Sequence, residues 1–111
     1  MGEKPVRIKA EDIKKCQLML LAIGDENRQC IINELLKKGE GGMRVNDIAA
    51  KANLSRPAVS RHLKVLKDAK IVKIHRIGTK NYYYYAPNAE DMCLLTDVLK
   101  NGRNMILEFP E

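Results

Sequence analysis

The sequence has no tryptophan, one phenylalanine and only three cysteines among its 111 residues. Cys16, Cys30 and Cys93 form no CxxC pair and have no histidine close in sequence. Neither a disulfide-stapled scaffold nor a zinc knuckle is written here. Long apolar runs are missing too. The best of them, Ile13 to Ile23, is interrupted by Lys14, Lys15 and Gln17, and a membrane span needs roughly 18 apolar residues. No secretory leader opens the chain, and Val6 stands where a myristoylation signal wants Ser or Thr. The expectation is a cytoplasmic protein with reduced thiols and no membrane contact. Gly39, Gly41 and Gly42 are not followed by Lys-Ser/Thr, so they do not build a phosphate-cradling loop. His62 and His75 have no cysteine or aspartate partner within sequence reach, and no nucleophile–base constellation emerges. Neither an enzyme nor a cofactor or metal site is expected.

What is present is basic charge in one place. The net charge is +6, yet residues 51–80 hold nine Lys/Arg and a single acid, Asp68. That segment therefore carries +8 and the remaining residues together −2. A polarised field of this kind suits phosphate binding, whereas a solubility surface would be evenly basic. Within the segment, Leu54 to Ala69 reads as a helix. Ser55 is a good N-cap and Pro57 falls in the first turn, where its missing N–H costs nothing. Val59, Leu63 and Leu66 form an apolar stripe. Ser60, Arg61, Lys64 and Asp68 fall opposite, with Arg56 at the N-terminal end. Arg can bond guanine O6 and N7 bidentately, and Ser can bond a base edge or a phosphate.

The flanks support this. Val45 to Ala52 forms a short helix with Val45, Ile48, Ala49 and Ala52 facing inward, and Asn53-Leu54 turns into the Ser55 cap, the layout of a helix-turn-helix. Downstream, Ile71–Ile77 and Asn81–Ala86 alternate around Gly78-Thr79-Lys80 and read as a β-hairpin, the wing.

On these residues the chain resembles the ArsR/SmtB family of bacterial winged-helix repressors. The likeness rests on Val45 to Ala49, Leu54-Ser55, Ala58 to Leu66, Asp68-Ala69, Ile71-Val72, Arg76, Gly78 and the tyrosine pairs of the second strand. Leu21 to Arg28 adds the segment that joins the first two helices. The resemblance implies a mainly α winged helix-turn-helix with about five helices and a two-stranded β-wing, in the order α-α-α-α-β-β-α. It also implies a homodimer through the first and last helices, bound to double-stranded DNA at an inverted-repeat operator. Arg56, Ser60 and Arg61 are then the candidates for base recognition and Lys64, Lys67, Arg76 and Lys80 for phosphates, with Pro57 also at the DNA surface and His75 facing solvent or DNA. A winged helix that has lost DNA binding and serves protein interaction stays open as an alternative. So does a DNA-binding regulator that answers to no ligand.

In chain order, residues 1–9 form a basic, mobile arm, 10–104 the DNA-binding and dimerisation domain, and 105–111 a tail. The first helix runs from about Ala10 to Ile23, with Ile13, Cys16, Met19, Leu20 and Ile23 on one face. Leu18 and Leu21 lie on another, an excess that suits packing against both the core and a partner. Asp25 caps a second helix that contributes Ile31, Ile32, Leu35 and Leu36 to the core, with Glu34 and Lys38 as an i,i+4 pair. One pair within Tyr82–Tyr85 faces the core. A last helix from about Ala89 to Asn104 carries Met92, Leu95, Val98 and Leu99.

Members of the resembled family sense metals, arsenicals or redox species through cysteine or His/Asp clusters. The positions matching the third-helix Cys-x-Cys site are Arg44 and Asn46, beside Asp47, and the last helix has Asp91 and Asp97 but no histidine. Zinc is therefore not expected at either place. Cys16 and Cys93, on the two dimer-forming helices, remain as a possible thiol-redox or soft-metal sensor, against the reading that all three cysteines only pack. The sequence identifies no inducer.

Overall fold

Ser55 starts the helix that the other elements surround. Its backbone is extended (φ −70°, ψ 154°) and its hydroxyl accepts from the Ala58 N–H at 3.2 Å. The computed structural model describes residues 6–100 and 105–108, with 6–8 and 105–108 as backbone alone. The elements are β1 (Val6–Lys9), α1 (Ala10–Ile23), α2 (Glu26–Lys38), α3 (Val45–Ala52), α4 (Arg56–Asp68), β2 (Val72–Ile77), β3 (Lys80–Tyr85), α5 (Ala89–Lys100) and β4 (Met105–Glu108). The five helices and antiparallel wing follow the expected order. Among the described residues no helix is long and apolar enough to cross a membrane.

The core forms under α4. Val59, Leu63 and Leu66 are completely buried and meet Ile31 and Leu35 of α2, Ile48 and Ala49 of α3, and Ile71 and Val72 at the root of the wing. Burying each of the three large aliphatic side chains on α4 contributes about 1.5–3 kcal/mol. Two expected core residues lie elsewhere: Leu20 and Leu36 are about half exposed. Each follows a buried residue, Met19 or Leu35, and one helical step turns the side chain roughly 100° away. Glu34 pairs with Lys37 at 3.3 Å rather than with Lys38, since i,i+3 neighbours share a helix face as i,i+4 neighbours do.

Helix α3 ends at Asn53, in left-handed backbone (φ 55°), and the Leu54 N–H returns to the Ala49 carbonyl at 3.1 Å. This closes the tight turn into Ser55. At the other end of α4 the Ile71 N–H reaches the Leu66 carbonyl and the Lys70 N–H the Lys67 carbonyl, both at 2.9 Å. This is a Schellman stop, and its left-handed position belongs to Lys70 (φ 60°), where glycine is the usual occupant. A residue with a Cβ there costs roughly 1–2 kcal/mol.

In the wing, β2 and β3 run from the Val72–Tyr85 pair to the Ile77–Lys80 pair. Gly78 (φ 62°) supplies the positive φ of the two-residue turn. Tyr83 and Tyr85 pack on the core, which places Tyr82 and Tyr84 on the outer face. A third short partner was not legible in the sequence. Met43 exchanges both backbone hydrogen bonds with Tyr83 at 2.8 Å. Gly42 (φ 71°) makes room for it: a Cβ there would lie 2.7 Å from the Tyr83 carbonyl oxygen.

The structure adds strands that the sequence reading did not assign. β1 pairs in parallel with β4, Val6 opposite Met105, so the end of the expected arm is extended chain. The rest of that arm, the end of the last helix beyond Lys100 and the tail's last residues lie outside the described residues. Helices α1 and α5 share a second, small core of Cys16, Met19 and Leu95. Helix α1 contributes to both layers, through Cys16 and Met19 here and Ala22 in the first. The molecule measures 53 × 24 × 23 Å with a radius of gyration of 16.8 Å, against about 13 Å for a compact domain of 100 residues.

Candidate nucleic-acid interface

With its apolar stripe locked into the core, α4 presents a fixed outer face. Helical geometry places Pro57, Arg61, Lys64 and Asp68 opposite the stripe, with Arg56, Ser60 and Lys67 beside them. Arg56, Pro57, Ser60 and Arg61 are exposed. Neither Arg56 nor Arg61 has an ion pair or hydrogen bond among the described residues, so both guanidiniums keep their full donor sets. Arg56, Pro57 and Ser60 line one open cleft of about 460 Å³ with Val45 at the start of α3. The sequence pattern assigns Val45 only to the core. Lys64 is engaged with Asp68 at 3.3 Å, an exposed pair worth little and easily exchanged for a phosphate.

The wing distributes its cations over two faces. Lys80 pairs with Ile77 and His75 with Tyr82, while Arg76 lies opposite Asn81 on the alternate face. Arg76 Nε donates to the Gly78 carbonyl at 3.0 Å and so braces the turn. All three are exposed. Lys67 stands apart from them, at the far end of α4 in an open groove with Lys70 and Lys73.

Arg28, which sequence reasoning did not single out, links the end of α1 to α4. The last carbonyls of α1 have no partners within the helix. Arg28 Nε donates to Ala22 O at 2.6 Å, its Nη2 to Leu21 O at 3.0 Å, and Gln29 Nε2 to Ile23 O at 3.0 Å. The Nη1 of Arg28 lies 3.3 Å from His62 Nδ1 on α4. An arginine can only donate, so Nδ1 is the acceptor in this contact. One guanidinium thus joins α1 to the recognition helix from a position on α2, and His62 turns toward it. Asp25 starts α2 by accepting from the Arg28 N–H at 3.0 Å. That bond, helped by the Arg28 charge, holds the Asp25 carboxyl below its ordinary pKa despite partial desolvation.

The cysteines are distributed differently. Cys16 is buried in the small core, and Cys93 is exposed on α5. Burial, then the nearby charges of Asp12 and Asp91, pushes the Cys16 thiol up, away from the thiolate that a redox or metal site uses. Among the described residues no group of three or more His, Cys, Asp or Glu is placed to hold a metal ion.

A family model described as "Bacterial regulatory protein, arsR family" matches residues 25–73. The transcriptional repressor SdpR of Bacillus subtilis is 39% identical over 88 residues, which cover 79% of this chain and 84% of that protein. Among solved structures, NolR from Sinorhizobium fredii superposes with a TM-score of 0.63 at 28% identity, covering 81% of this chain and 86% of its own. A homodimeric winged helix-turn-helix DNA-binding domain from Mycobacterium bovis shares the fold, with a TM-score of 0.59, 22% identity, and 84% and 82% coverage.

Proposed function

The chain belongs to the ArsR family of bacterial regulatory proteins and is a winged-helix transcriptional regulator, not an enzyme, and we propose that it represses transcription as a homodimer on an inverted-repeat operator. The observation that carries this reading is the outer face of α4. Arg56, Ser60 and Arg61 are exposed and free of competing acids, on a helix whose opposite side is wholly buried. Arg56, Ser60 and Arg61 read base edges in the major groove, while Lys64, Arg76 and Lys80 hold phosphates.

A second copy closes the α1–α5 layer. Three buried side chains make a small core, and Leu18, Leu21 and Leu99 beside it are 54%, 62% and 68% exposed. Apolar surface of this kind in a small domain marks a partner site, and the mycobacterial domain of the same fold is homodimeric. Twofold symmetry then sets the half-sites about 10–11 bp apart. A thiol-reactive or soft-metal signal, if one releases the DNA, enters through Cys93. Cys16 is a packing residue. Diamide is then expected to act on wild type and Cys16→Ser but not on Cys93→Ser; equal action on all three moves the site to Cys30, and no action on any of them removes the thiols from the account.

Arg61→Ala is expected to lose about 1–3 kcal/mol of operator affinity and to relax sequence preference. Lys80→Ala should weaken all duplexes alike and flatten the salt dependence. Titrations against operator and scrambled duplexes at several salt concentrations test this. Equal loss of specificity from both variants, or protection of a single half-site by a stable monomer, refutes the reading.

A further inference from the structure

Beyond the DNA-reading face, an open groove of about 490 Å³ lies between the last turn of α4 and the root of the wing. We infer that this groove is a binding site for a small, flat polyanion: an aromatic ring carrying phosphate or carboxylate groups. Its volume falls in the range of small-molecule sites. Lys67, Lys70 and Lys73 line it and no acid does. None of the three is ion-paired among the described residues, whereas Lys37 and Lys64 elsewhere are. Three lysines lining one groove concentrate positive charge there, and an anion bound among them would be attracted by all three.

The backbone gives a second, independent indication. Lys70 occupies the left-handed position of the Schellman stop, where glycine fits without strain. A strained backbone position that keeps a lysine facing a groove points to use of the ammonium group. Tyr84 supplies a ring wall beside Lys73, its cross-strand partner, and its hydroxyl has no partner among the described residues. Asn88 completes the rim. Its N–H donates to the Lys70 carbonyl at 3.0 Å and its Oδ1 caps the Asp91 N–H at 2.9 Å, which leaves its amide nitrogen free to donate.

The groove is separate from the surface that reads bases. Eleven helical residues put Lys67 about 16 Å along α4 from Arg56. Four strand residues put Lys73 about 13 Å from the wing tip at Ile77. A ligand there touches the end of the recognition helix and, through Asn88, the start of α5.

The test is titration of the full chain, followed by amide chemical shifts and calorimetry, with adenosine monophosphate, inorganic phosphate and an operator-free duplex as probes. The nucleotide should shift amides of residues 67–73 and 84–88 and bind more tightly than phosphate alone. Lys70→Gly should weaken it by about tenfold, as loss of one charge-assisted contact does, while raising the melting temperature. Tyr84→Leu should bring the nucleotide down to the level of inorganic phosphate. No shifts at these residues with millimolar nucleotide, or unchanged binding by a stabilised Lys70→Gly, overturns the inference. Shifts there with the duplex alone also overturn it, by assigning the groove to the DNA path.

Discussion

Replacing Arg28 should damage the protein more than replacing an exposed surface cation, because its guanidinium closes the C-terminal end of α1. Two bonds to main-chain carbonyls are lost in Arg28→Ala, at 2.6 and 3.0 Å, together with the contact to His62. Hydrogen bonds to a charged group contribute about 1.5–3 kcal/mol each when shielded. The Arg28 side chain is 16% exposed, and freed carbonyls at a helix end rehydrate, so the low end applies. The two bonds together should be worth about 2–3 kcal/mol, or a fall of about 10 °C in Tm. Urea denaturation followed by circular dichroism, at one fixed protomer concentration, measures this. Arg28→Lys should recover less than half, since an ammonium group cannot span both carbonyls as the planar fork does. Gln29→Ala, with one exposed bond, should cost under about 1 kcal/mol. A loss below about 0.5 kcal/mol in Arg28→Ala is the size of an ordinary surface substitution and refutes the capping role. Full rescue by lysine would show that charge alone matters.

Two further perturbations test the wing and the second helix. Gly42→Ala places a methyl group 2.7 Å from the Tyr83 carbonyl at a positive φ. It should cost at least about 1–2 kcal/mol and weaken DNA binding, while Gly41→Ala, with only a lysine side chain 3.9 Å away, should be nearly neutral; comparable melting curves for both would refute the clash. For Asp25 the lowered carboxyl pKa means that its stabilisation is present above the unfolded-state value, about 3.9. That stabilisation is lost as pH falls through the lower folded-state value. Asp25→Asn keeps the cap but not the charge, so wild type should lose more stability than the variant between neutral pH and about pH 3. Parallel melting profiles across that range would exclude the linkage.

The parts of the fold legible in the sequence are those specified locally. Ser55, Pro57 and the Val59–Leu63–Leu66 stripe determine α4 within one stretch of chain, and Asp25 does the same for the start of α2. The base-reading candidates followed, because a buried stripe fixes which residues face outward. What escaped is non-local. The Met43–Tyr83 bridge joins one residue to a strand far along the chain, and the β1–β4 pair joins the two ends; neither carries a periodic signal. Arg28 resembles any surface arginine until α1 and α4 are packed around it. Lys70 escaped for a different reason: a left-handed lysine breaks the usual glycine pattern, and nothing in composition marks it.

The small core between α1 and α5 also bears on gene dosage. Three buried residues make a small layer; in the homodimer proposed above a second copy completes it, so the free protomer and the operator-competent species would differ by one mass-action step. Well below the dimer dissociation constant, the active species grows with the square of protomer concentration. Halving synthesis there cuts the competent pool about fourfold. A promoter under such control would switch over a narrower range of regulator abundance than a monomeric binder allows, with the threshold set by Leu18, Leu21 and Leu99 rather than by any residue that touches DNA.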